Sequence, residues 1–133
     1  MSETPEKDVV QVGLPESTDT KLKALAQQTP WFNNEDDVYR VAVAVALANG
    51  WKVEEWRTRR FEGGKDTKYH VVLMKEIISL LAPECGDTPY KYSQWLAVIG
   101  VNFLHQKLLE KDWGIDEALG LEDLGNTDAD VSD

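Results

Sequence analysis

The chain opens on a short alternation. In "DVVQVGLP", Val10, Val12 and Leu14 fall on one face, Val9, Gln11 and Gly13 on the other, and Pro15 stops the run. That pattern predicts a strand. "STDTKLKALAQQ" then changes period: Leu22, Leu25 and Ala26 share a face behind a Ser17 or Thr18 cap, which predicts a helix. "TPWFNN" reads as a loop carrying Trp31 and Phe32.

The stretch "NNEDDVYRVAVAVALANGW", residues 33–51, is ambiguous. Its alternating valines suit a strand, but its ends suit a helix. Asn34 is a good N-cap, and Glu35, Asp36 and Asp37 occupy the first turn, where the helix dipole favours acids. Gly50 stands where a helix ends in a left-handed residue. About 15 residues between these marks exceed a typical strand, so a helix is expected. Its interior, Val41 to Ala48, has no polar residue, which predicts burial nearly all round. Alanines at 42, 44, 46 and 48 admit close neighbours. A short chain has little with which to enclose such a helix. The expectation is a contact with a second subunit through Val41, Ala42, Val45 and Ala46, with Gly100 from a later helix; a central helix in a monomer is the alternative.

"YHVVLMKEIISLL" places Val72, Leu73, Ile77, Leu80 and Leu81 on one helical face, and "APECGDTP" is a loop. "YKYSQWLAVIGVNFLHQKLLEKD" is the longest predicted helix, with Trp95, Leu96, Ile99, Phe103, Leu104 and Leu108 in a stripe. Gly100 at its centre costs about 1 kcal/mol relative to alanine, and close helix contact would offset that. "WGIDEALGLEDLG" adds one short turn or helix. The predicted fold is mainly α: a short N-terminal β-strand followed by about four helices.

Of 133 residues, 42% are apolar, enough for one core over residues 9–119. No apolar run approaches the ~18–20 residues that span a bilayer. The start, "MSETPEKDVV", lacks a charged-then-apolar signal pattern, and the single Cys85 leaves no internal disulfide. A cytoplasmic protein that avoids membranes is expected. The net charge of −10 is uneven: −2 over residues 1–8, −7 over 116–133 and only −1 between. Residues 1–8 are expected to be flexible and 120–133 to form an acidic, disordered tail.

Candidate chemistry is sparse. His70, His105 and Cys85 share no metal-ligand spacing, and there is no glycine-rich phosphate loop or nucleophile motif. The acid pairs Asp36-Asp37 and Glu54-Glu55 would point apart on a helix. A protein without catalysis, metal or cofactor is therefore expected. The locally basic stretch is "WKVEEWRTRRFEGGKDTKYH". Its Arg57, Arg59, Arg60, Lys65 and Lys68 are the candidate nucleic-acid contacts, since guanidinium matches phosphate oxygens bidentately. Pairing of these arginines with Glu54, Glu55, Glu62 and the acidic C-terminal segment is the alternative. Trp31, Phe32, Trp51 and Trp56 would anchor a protein partner or fill the core.

The succession "VVQVGLP", "KLKALAQQ" and "NNEDDVYRVAVAVAL" resembles a ribbon-helix-helix unit. In that fold two chains pair strands into a ribbon that enters the major groove. Val9, Gln11 and Gly13 would face outward, and of these Gln11 can read a base edge. "YRVAVAVAL", begun by Arg40, and "LMKEIISLL … WLAVIGVNFL", centred on Gly100, are similar over about residues 9–119 to the DndE family of bacterial DNA phosphorothioation systems. That resemblance implies a homo-oligomer without catalysis that binds DNA through basic surface residues. The expected function is a non-enzymatic oligomeric accessory protein of a prokaryotic DNA-modification or defence system, binding DNA or a partner enzyme. The alternatives are a ribbon-helix-helix regulator and a protein-interaction module without nucleic-acid contact.

Overall fold

The computed structural model describes residues 12–56, 67–69 and 75–120. Strand β1 (Val12–Leu14) leads into helices α1 (Glu16–Gln28) and α2 (Glu35–Ala48), then strand β2 (Thr67–Tyr69) and helices α3 (Lys75–Leu81), α4 (Pro89–Leu104) and α5 (Ile115–Leu119). A 3₁₀ turn at Pro83–Cys85 precedes α4, and a π-helical segment, His105–Glu110, continues it. The mainly helical fold with a short N-terminal strand is as the pattern predicts. β2 was not anticipated. It is three residues long, too short for alternation to announce it. It pairs antiparallel with β1, Gly13 opposite Lys68.

Helix ends follow local chemistry. Asn34 Oδ1 accepts from the Asp37 N–H at 2.9 Å and starts α2. Gly50 takes φ 68° after the helix. The Gly50 and Trp51 N–H groups then close back on Leu47 and Ala46 carbonyls at 3.1 and 3.0 Å, a Schellman ending. α1 departs from expectation: it begins at Glu16, and no side chain caps it. Ser17 and Thr18 lie inside its first turn, and the Pro15 carbonyl accepts from the Asp19 N–H at 2.9 Å.

α4 is the hub, touching α1, α2, α3 and β1, and its contact with α2 is the most extensive among the described elements. Gly100 makes that contact possible. A Cβ built there would lie 2.6 Å from the carbonyl carbon of Ala42 and 2.8 Å from its Cα, inside ordinary contact distance. Ala42, Val45, Ala46 and Gly100, expected at a subunit contact, are thus enclosed within one chain, and Val41 is half-buried. Their small size serves an intrachain crossing.

Two faces point differently from expectation. α2 is not buried all round: Ala44 and Ala48 are exposed. On α3 only Ile78 is buried, while Ile77, Leu80 and Leu81 face outward, Leu80 at 78% exposure. Periodicity defined that apolar stripe but not its direction.

Buried polar groups are satisfied. Gln94 Oε1 on α4 accepts from the Gly13 N–H at 2.9 Å, tying β1 to the hub. The Ser93 hydroxyl donates to the Tyr90 carbonyl at 2.7 Å, so Tyr39 must be the donor in its 2.8 Å bond with Ser93 Oγ. Among the described residues no buried side-chain nitrogen or oxygen lacks a partner.

Candidate functional site

An open groove of about 500 Å³ runs beside the second half of α4 and its π extension. Lys21 of α1, Trp51 after α2, Ile99, Asn102 and Phe103 of α4, and Gln106 and Glu110 of the π segment line it. Each arrives for a local reason. The Schellman ending of α2 sets the chain direction at Trp51. Its ring packs edge-to-face on Phe103 with centroids 5.1 Å apart, a preferred aromatic arrangement. Ile99 and Phe103 belong to the predicted α4 stripe, but Leu96, Leu104 and Leu108 take its buried side, leaving these two half-buried.

The rim is polar. Lys21 Nζ donates to Asn102 Oδ1 at 3.2 Å. Glu110 Oε2 meets His105 Nδ1 at 2.9 Å. Lys107 projects over two rings, 5.7 Å from the Phe103 centroid and 4.4 Å from that of Trp113. Desolvation, and then the nearby charge of Lys111, lower the Lys107 ammonium below the ordinary lysine value. The π segment closes with the Lys111 N–H on the Gln106 carbonyl at 2.9 Å, five residues back. Asp112 follows with φ 56°, a left-handed conformation unusual outside glycine. π turns are rare, and they recur at functional sites.

A second polar cluster lies behind α4. The Tyr92 hydroxyl donates to Glu84 Oε2 at 2.7 Å and accepts from the Val53 N–H at 3.2 Å. Lys52 Nζ approaches the same carboxylate at 3.4 Å. Burial and the bond to Glu84 push the Tyr92 phenol up to about 12. Burial acts to raise Glu84, but hydrogen bonds from Tyr92 and Lys52 and the Lys52 charge outweigh it, so its carboxyl is lowered. The phenol thus bridges Glu84 and the Val53 N–H.

The residues singled out in the sequence scatter. Arg57, Arg59, Arg60 and Lys65 lie outside the described residues, as do Val9, Gln11 and His70. Lys68 lies in β2 opposite Gly13. Cys85 is buried, its thiol directed to the Gly86 carbonyl at 3.6 Å. Of the four aromatics, Trp56 is in the core with its ring edge-to-face on Tyr92, and Phe32 is buried. Trp31 is 42% exposed, and Trp51 is half-buried in the groove. Sequence reasoning named Trp51 and placed Ile99 and Phe103 in one stripe. It passed over Lys21, Asn102, Gln106 and Glu110, which come together only in three dimensions. Among the described residues no group of three or more His, Cys, Asp or Glu side chains could hold a metal ion. No helix among them is long and apolar enough to cross a membrane. No family model, curated protein or solved structure matches the chain.

Proposed function

We propose that this chain is a non-enzymatic binding protein whose partner is a segment of another protein, seated in the groove beside α4. One observation carries the reading: Trp51 and Phe103 form an accessible aromatic wall within a cavity of about 500 Å³, rimmed by hydrogen-bonding side chains. Binding sites pair apolar surface with polar groups that fix orientation, and here Trp51, Ile99 and Phe103 stand beside Lys21, Asn102, Gln106 and Glu110. Aromatic side chains held rigid in a partly desolvated pocket are the usual energetic anchors of an interface. The reading fits an accessory protein of a DNA-modification or defence system whose ligand is a partner enzyme.

The test is a display selection of short peptides on wild-type protein, counter-selected on Asn102→Trp. Asn102 is exposed on the rim, so an indole there fills the groove without disturbing the core. Selected peptides should bind wild type in the micromolar range, shift the emission of Trp51, and lose at least tenfold in affinity on Asn102→Trp. Peptides that bind both proteins equally would place the interaction elsewhere.

A nucleic-acid reading keeps one supporting observation. Arg57, Arg59 and Arg60 follow core Trp56 closely in sequence, and Lys68 lies in β2, paired to β1. The reading would be supported by duplex-DNA binding that weakens steeply with salt and with the triple change Arg57→Ala, Arg59→Ala, Arg60→Ala. The regulator alternative needs β1 free to pair with a second chain, but β1 is buried, paired to β2 and bonded at Gly13 to Gln94.

A further inference from the structure

We propose that the groove selects a partner segment bearing a lysine or arginine beside its apolar anchor, and that Glu110, positioned by His105, receives that cation. The proposal rests on the groove reading above and adds the chemistry of the occupant.

The π segment makes the arrangement. His105 and Glu110 are its first and last residues. In a regular α-helix, residues five apart diverge by about 140° around the axis. The wider π turn brings them onto one side, where His105 Nδ1 meets Glu110 Oε2 at 2.9 Å. One carboxylate oxygen is thereby fixed. The other has no protein partner among the described residues, and Glu110 lines the groove with its side chain 57% exposed. A fixed acceptor lining the same groove as Trp51 and Phe103 suits a cation whose alkyl stem lies on the rings.

Two further observations agree. The aromatic surface here already holds a cation: Lys107 lies 4.4 Å above Trp113 and 5.7 Å above Phe103. Lys21, the only cation among the groove's lining residues, is bonded to Asn102. Lys107 and Lys111 are the nearby opposing charges, and Lys107 is engaged with the rings.

The test uses the same selected peptides. Arginine or lysine should be enriched next to an aromatic or aliphatic residue. Glu110→Gln should weaken the best binder at least tenfold and flatten its salt dependence. Glu110→Arg should reject that peptide yet accept the version whose basic residue is changed to glutamate; a merely structural role for Glu110 would not produce this exchange. His105→Ala should weaken binding several-fold, and His105→Gln, which retains a donor toward Glu110, should restore most of it. Each variant is checked for an unchanged melting temperature. Failure of basic residues to be enriched, binding to Glu110→Gln within twofold of wild type, or failure of the charge exchange would each overturn the proposal. If Asn102→Trp blocks binding while Glu110→Gln does not, the groove reading stands and the charge assignment falls. If Asn102→Trp binds as wild type does, both fall.

Discussion

Gly100→Ala tests the account of the core. On helix propensity alone the change should stabilise the protein by about 1 kcal/mol. The structure predicts the opposite. The new methyl group would lie 2.6 Å from the Ala42 carbonyl carbon, where ordinary contact begins at 3.4 Å, so α2 and α4 must part by about 0.8 Å or more. A gap of that size forfeits roughly a quarter to a half of the dispersion energy of the atoms that line it. Overpacking a core costs about 1–3 kcal/mol, and more where the obstacle cannot rotate away. Here the obstacle is backbone. A net loss of about 3 kcal/mol is expected, or roughly 10–15 °C in melting temperature for a chain of this length. Thermal unfolding followed by circular dichroism, with urea titration for the free energy, reads it directly. Ala42→Gly supplies the control. It removes a side chain from the crossing but leaves the colliding carbonyl, so the double variant should be no more stable than Gly100→Ala. A melting temperature that rises or holds in Gly100→Ala, or rescue by Ala42→Gly, would refute the close backbone approach.

Other perturbations follow from single contacts. Tyr92→Phe removes the acceptor of the buried Val53 N–H and a donor to Glu84, and should cost about 1–3 kcal/mol in denaturant unfolding. Wild type should also lose stability as pH rises from 10 to about 12: the folded state raises the Tyr92 value, so its contribution is complete below pH 10 and gone above the folded value. Glu84 acts in the opposite sense. Its lowered value contributes stability above about pH 4.5 that disappears on acidification, and Glu84→Gln should remove that part of the acid transition. Gln94→Met should cost about 1–3 kcal/mol and speed hydrogen exchange at the Gly13 amide, which loses its acceptor. Leu80→Lys, at a site 78% exposed, should change stability by less than about 0.5 kcal/mol in denaturant unfolding.

What the sequence made legible was whatever short-range chemistry controls. Asn34 and Gly50 marked α2 at both ends, and the apolar stripe found α4. Direction and distance were less accessible. The Ile77–Leu81 stripe has helical spacing, yet nothing in spacing says which side meets the core. The small residues of α2 signalled a close neighbour but could not say whether it lay 58 residues along, as Gly100 does from Ala42, or in another chain. The groove was harder still. His105 and Glu110 are five apart, a separation that carries no α-helical meaning, and only the π register unites them. Lys21 and Asn102 meet across 81 positions.

The same separation has a consequence for synthesis. β1 is held by Gln94, also 81 residues downstream, and by β2. At a translation rate of about 5–20 residues per second, Gly13 waits roughly 4–16 s for its acceptor to be made. Val12 and Leu14, buried in the finished protein, have neither hub nor sheet partner during most of that interval. A chain built around α4 must therefore postpone its core until α4 has emerged. Its N-terminal strand is among the first elements made and among the last to find its place.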